Sequence, residues 1–151
     1  MSQGAETRRL SGLPFIAGPT NIAAGNPVKL GTGSWTVENA LHASDEPIGI
    51  ARASAAAGKA LDVRDTNDVI RGIAAATIAV GNLVGLASVF ATGSTVVAQL
   101  APVSAGVVKA PKENEEIVRT VVWSVGQAVE AANPGAEFGY RVNVRQISGL
   151  V

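Results

Sequence analysis

The chain has 151 residues, with 12 basic and 12 acidic side chains and a single histidine, so its formal net charge is zero. Balanced charge excludes the basic excess by which proteins neutralise nucleic-acid phosphates, and it gives no electrostatic hold on an anionic membrane. The lack of cysteine excludes disulfides, thiolate catalysis and Cys-ligated metals.

Hydrophobic residues make up 47% of the chain, but only 3 Phe, 2 Trp and 1 Tyr are aromatic, and 17 residues are glycine. Apolar character carried by Ala, Val, Ile and Leu and punctuated by glycine suits short strands and tight turns. In chain order, residues 1–19 read as an N-terminal arm and 20–151 as a β-rich domain. The arm opens with the small polar stretch Ser2–Thr7, with no apolar run long enough for a signal peptide. Arg8, Arg9 and Leu10 follow. Leu13, Pro14, Phe15 and Ile16 then form an apolar patch between Gly12 and Gly18. This patch is either the first strand or a segment that docks on a neighbouring subunit.

A duplication organises the remainder. Ile22-Ala23-Ala24-Gly25-Asn26-Pro27-Val28-Lys29-Leu30 returns, 56 positions later (78 minus 22), as Ile78-Ala79-Val80-Gly81-Asn82-Leu83-Val84-Gly85-Leu86, identical at six of nine places. Each copy reads as a strand end, a turn at Gly25-Asn26 or Gly81-Asn82, and a strand with Val and Leu on one face. Gly31-Thr32-Gly33-Ser34 closes a hairpin, with Trp35 near its tip. The segment Pro47–Gly58 returns as Ser124–Gly135, sharing Gly49/Gly126, Ala51/Ala128, Ala55/Ala132 and Gly58/Gly135 at an offset of 77 (126 minus 49). The halves are therefore 20–66 and 76–147, and the 21 extra residues of the second (77 minus 56) are assigned to an insertion within 92–119. Ala51–Ala60 has helix propensity, but Gly58 in one copy and Asn133-Pro134-Gly135 in the other favour turns over one surface helix from Pro47 to Ala60. At the end, Tyr140, Val142 and Val144 alternate with Arg141, Asn143 and Arg145, the period of a half-buried strand. The fold class expected is all-β, a small barrel- or sandwich-like lobe built from a duplicated strand–turn–strand unit. Gly72 to Val108 carries no charge and Ile73 to Ala91 within it is long enough to span a bilayer, but Gly81, Asn82, Gly85 and Ser88 and its repeat relation to a segment holding Pro27 and Lys29 argue against a span.

Residues arranged for catalysis are hard to find. His42 has no positioned partner, and Ser44-Asp45-Glu46-Pro47 after it reads as a turn. No serine lies in a nucleophile elbow, and Gly31–Ser34 lacks the lysine and helix of a phosphate loop. Lys112-Glu113-Asn114-Glu115-Glu116 reads as a solvated loop rather than a cation site. Trp123, at strand spacing between Val121 and Val125, is expected to be buried. The expectation is a non-enzyme with no cofactor and no metal, and with neither nucleic acid nor membrane as a partner.

The twice-used Ile-x-x-Gly-x-x-Val-x-Leu element, followed by Pro47-Ile48-Gly49-Ile50-Ala51 and an Ala-Ala-Gly turn into a strand, resembles the small capsid decoration (cement) proteins of tailed bacteriophages. The resemblance spans residues 15–147. It implies a β-rich virion protein, often a homotrimer, bound to the major capsid protein on the outer capsid surface and stabilising the expanded shell. It further implies that an arm, here with Arg8, Arg9, Leu10, Leu13, Pro14, Phe15 and Ile16, contacts the shell or an adjacent copy. The same element also looks like that of small antifreeze-like barrel domains, which would make Trp35 the platform of a carbohydrate- or small-molecule-binding module. A fibre base or other virion component is a third reading.

Overall fold

The computed structural model describes residues 14–42, 44–103 and 119–150, and no helix occurs among them. Strands β1 (Phe15–Ala17), β2 (Pro27–Leu30), β3 (Thr36–Asn39), β4 (Gly49–Ala51), β5 (Ala60–Leu61) and β6 (Val63–Arg64) form one sheet in the order β5-β1-β3-β2-β4-β6. Strands β7 (Thr66–Ala74), β8 (Leu83–Thr92), β9 (Thr95–Pro102), β10 (Arg119–Ala128) and β11 (Glu137–Leu150) form a closed barrel in the order β10-β11-β7-β9-β8. The protein is all-β, as the alternation and turn chemistry indicated.

The two sheets share one pairing scheme. In each, the first strand runs parallel to the third, and every other contact is antiparallel. The correspondence holds to single hydrogen bonds. The Gly25 N–H donates to the Ala51 carbonyl and the Gly81 N–H to the Ala128 carbonyl, both at 2.8 Å. The Gly58 N–H donates to the Ala17 carbonyl and the Gly135 N–H to the Ala74 carbonyl. Ile22 bridges Ala55 as Ile78 bridges Ala132. In this scheme β5 and β6 are one strand, interrupted at Asp62, in the place of the continuous β11. The end strands of the first sheet are therefore one chain segment, and that sheet also returns on itself.

The Ala-rich connectors are turns. The Asn26 N–H donates to the Ala23 carbonyl, Asn82 to Ala79, Lys59 to Ala56 and Ala136 to Asn133, each closing a four-residue turn. The third residue of these turns is Gly25 (φ 87°), Gly81 (φ 90°), Gly58 (φ 79°) or Gly135 (φ 85°), the left-handed conformation that a type II turn demands there. Pro134 occupies the second position of the last turn, where its fixed φ suits that type. This removes the surface helix considered for Pro47–Ala60: Ala propensity is outweighed by a glycine that must be left-handed.

The extra residues of the second half are not a single insertion. Leu30 pairs with Val37 and its counterpart Leu86 with Leu100, so the β8–β9 hairpin is longer by seven residues (14 minus 7). The other 14 (21 minus 7) fall between β9 and the aligned part of β10. The hairpin thus begins its extension before residue 92. The expected loop Lys112–Glu116 lies outside the described residues.

Each lobe has its own core. Phe15, Ala17, Ile22, Val28, Val37, Leu61 and Val63 pack in the first. Ala74, Ile78, Val84, Leu100, Phe138 and Tyr140 pack in the second, joined by Ile50 from β4. Phe138 and Tyr140 are fully buried, their ring centroids 5.6 Å apart. Burial pushes the Tyr140 hydroxyl well above its ordinary pKa, so it stays neutral.

The two aligned glycines of the fourth strands leave no room for a side chain. A Cβ on Gly49 would lie 2.5 Å from the Arg64 carbonyl oxygen, and one on Gly126 would collide with the Arg141 carbonyl and meet the Tyr140 ring at 2.7 Å. Gly81, by contrast, has open space around it and needs glycine only for its backbone. Gly126→Ala and Gly49→Ala are each expected to lower unfolding stability by about 2–3 kcal/mol through overpacking. Gly81→Ala should cost only about 1 kcal/mol of left-handed strain. Urea denaturation of the three variants checks the order.

Candidate interaction surfaces

The two lobes meet through the first Gly-Asn turn. The type II turn at Gly25 turns the Asn26 side chain toward β9, where it is 2% exposed. Its Nδ2 donates to the Val96 carbonyl (2.7 Å) and to Asn39 Oδ1 (2.9 Å), and its Oδ1 accepts from the Ala98 N–H (3.0 Å). Asn39 Nδ2 in turn donates to the Asn21 carbonyl (3.1 Å), and Asn21 Nδ2 donates to Ser94 Oγ (3.2 Å) at the hairpin end. Ala40, Leu86 and Ala98 form a small apolar cluster beside this network. The longer β8–β9 hairpin is what reaches across, so the seven added residues bind one lobe to the other.

Asn82 occupies the same place in the second repeat but keeps its oxygen for its own turn, accepting from the Ala79 N–H at 2.8 Å. Gly25, Asn26, Gly81 and Asn82 are therefore all turn residues, with Asn26 alone of the two asparagines spanning the lobes. Nothing in the sequence separates them, because the partner strand lies about 70 residues away.

Of the arm residues, Arg8, Arg9, Leu10 and Leu13 lie outside the described residues. Pro14 precedes β1. Phe15 is buried and Ile16 is exposed, the alternation of a strand, so for these two the first-strand alternative holds. Trp35 is at the β2–β3 hairpin tip with a positive φ of 55°, 53% exposed, its ring edge-on to Phe15 at 5.7 Å. Trp123 is half-buried rather than buried. A register shift between Ser124 and Gly126 breaks the alternation, so Ser124 and Val125 both face inward. Clefts open between the lobes (Ala24, Gly25, Arg71, Ile73, Glu137), beside Asn21 and Ile22, and beside Thr77 and Ile78; Trp35 lines none of these three.

His42 is exposed, in a turn organised by Asp45. Asp45 Oδ2 accepts from the Leu41 N–H (3.0 Å) and the His42 N–H (3.2 Å) and pairs with Lys29 Nζ at 3.3 Å. Partial burial alone would raise this carboxyl, but the two N–H donors and the Lys29 ammonium together hold it below the usual carboxylate range. Among the described residues no group of three or more acidic, His or Cys side chains could hold a metal ion, and no helix is long and apolar enough to cross a membrane.

Large apolar side chains are left at the surface on both lobes. Leu30 is 64% exposed, Val69 62% and Val80 66%, and Leu41, Val89, Phe90 and Val129 are also exposed. These, rather than any cluster of reactive groups, are the surface features that stand out.

No protein-family model matches the chain, and no curated protein matches it in sequence. Among solved structures, the crystal structure of the head fiber gp8.5 N base of bacteriophage phi29 is similar in shape, with a TM-score of 0.49 and 16% identity over 87% of this chain and 92% of that one.

Asn26→Ala removes three hydrogen bonds and leaves the Ala98 N–H and the Val96 carbonyl without their side-chain partner. It is expected to cost about 2–4 kcal/mol, against about 1 kcal/mol for Asn82→Ala, as read from urea midpoints. Because the folded Asp45 carboxyl is depressed, its contribution to stability is present above the unfolded pKa of about 4 and is lost as pH falls through the lower folded value. The gap in thermal midpoint between wild type and Asp45→Asn is therefore expected at neutral pH and should close at strongly acid pH.

Proposed function

We propose that this chain is a structural virion protein that binds the outer surface of a tailed-phage capsid and stabilises the expanded shell, with the major capsid protein and further copies of itself as partners. The observation that carries the reading is the pairing of two closed cores with exposed Leu30, Val69, Val80 and Phe90 on a chain of zero net charge. Such a surface binds by removing apolar area from water, worth about 25 cal/mol per Å² before the costs of ordering. The repeated element that resembles cement proteins supports the same reading. A protein bound only to the expanded shell raises the stability of that state by mass action, by about 2.7 kcal/mol at a free concentration 100 times Kd. Several contacts made by one oligomer add avidity.

A second reading has one observation of its own: Trp35 is held out at a hairpin tip, as in an aromatic platform for a sugar or another small ligand. A fibre base or other virion component would use the same kind of apolar surface.

Purified protein is expected to co-sediment with expanded capsids of its own phage and to raise their thermal disruption temperature. No binding to expanded capsids, together with saturable glycan binding lost in Trp35→Ala, would replace the cement reading with the ligand-binding one.

A further inference from the structure

Within the chain, one lobe is seated on the other through two unlike faces. The second lobe contributes the face holding Ile73, Leu86 and Ala98, and the first contributes the turn face holding Gly25, Asn26 and Ile22. Because the lobes share a fold, each also carries a copy of the face that its sibling uses. The strand registers fix the counterparts. Ile73 beside Ala74 corresponds to Ile16 beside Ala17, and Leu86 opposite Leu100 corresponds to Leu30 opposite Val37. Counting back from Val37 and Leu100, Trp35 falls at the place of Ala98. On the other side, Ala24-Gly25-Asn26 corresponds to Val80-Gly81-Asn82.

These two leftover faces coincide with the exposed apolar residues. Ile16 (40%), Leu30 (64%) and Trp35 (53%) stand on the first lobe, and Val80 (66%) on the second. The cleft beside Ile22 and Ala55 is lined on one side by Thr95 of the β8–β9 hairpin. Its counterpart beside Ile78 and Ala132 is lined by its own lobe, from Thr77 to Ala136. One member of each pair thus meets the sibling lobe, and the contacts of the other, among the described residues, lie within its own lobe.

We propose that copies of this chain join head to tail, with the Ile16–Leu30–Trp35 face of one copy seated on the Val80–Asn82 face of the next, in the relation that the two lobes already hold. The contact continues the established interface, so its occupant is a second copy. It is more apolar than the internal joint. The first-lobe hairpin lacks the seven residues that bring Ser94 and Val96 to Asn21 and Asn26, and Asn82 is correspondingly turned into its own loop. The large Trp35 ring takes the place of the small Ala98 and supplies area where the longer hairpin is missing. Each copy offers one face of each kind, so assembly is heterologous and proceeds to a ring or a filament rather than stopping at a two-fold dimer. This inference gives a geometry to the self-association named in the proposed function, and it stands apart from capsid binding, since it concerns the free protein alone.

The test is light scattering on the purified chain and on Leu30→Asp and Val80→Asp, both at exposed positions, with urea midpoints confirming that the variants fold. Wild type is expected at three or more chain masses of 15.2 kDa, and each variant alone at one. Mixing the two variants restores one sound interface per pair, so the mixture should give a dimer of one of each and nothing larger. Trp35 emission should shift to shorter wavelength on assembly, with Trp35→Ala removing the shift. A monomeric wild type at its highest soluble concentration, an assembly unchanged by either substitution, or a folded variant pair that fails to form the mixed dimer would each overturn the proposal.

Discussion

The side-chain amide of Asn26 is where the two halves become one structure. A primary amide offers two donors and an oxygen acceptor. Here they are used on Asn39 and Ala98 in buried bonds and on Val96 in a part-buried one. A buried polar group with its partners in place costs little, whereas a partner left unsatisfied costs the full desolvation of that group. The joint is therefore specific in direction: it accepts the edge of β9 in one register and rejects its neighbours. Ile50, packed into the second core, and Gly25, whose missing Cβ lets the Arg71 carbonyl approach, close the same joint from either side.

Several of the identities that survive between the repeats fall where sterics leave least freedom. Gly25/Gly81 and Gly58/Gly135 are left-handed in turns. Gly49/Gly126 face a carbonyl that a Cβ would strike. Ala51/Ala128 are buried where the fourth strand meets the last. Between these points the halves diverge freely: Phe15 stands opposite Leu61 in one lobe, and Gly72 stands opposite Phe138 in the other. In both pairs one aromatic ring is retained, shifted from the first strand to the last, so core volume is kept while sequence is not.

The outer surface follows from the same arithmetic of small residues. With few aromatics, each small core fills with Val, Ile, Leu and Ala, and several large apolar side chains remain outside. Zero net charge places no long-range repulsion against association. The Lys29–Asp45 pair and the Arg52, Asp62, Arg64 and Asp68 group are surface ion pairs that organise turns and strand edges more than they add stability.

The all-β class, the duplication with its offsets of 56 and 77, the turn glycines and the alternating final strand were legible in the sequence, because each depends on local rules: side-chain period, left-handed φ and repeat identity. The division of the 21 extra residues between a hairpin and a later segment was not, nor was the half-burial of Trp123, since both depend on strand register and a bulge. The first strand could be named only as one of two alternatives, because Phe15 and Ile16 would alternate in and out of a sheet or serve equally well in an arm. Most of all, sequence treated Asn26 and Asn82 as the same turn residue. Tertiary structure decided that one bridges two lobes and the other only closes its own loop, because a side-chain amide takes its role from whichever distant strand edge the fold brings within hydrogen-bonding reach.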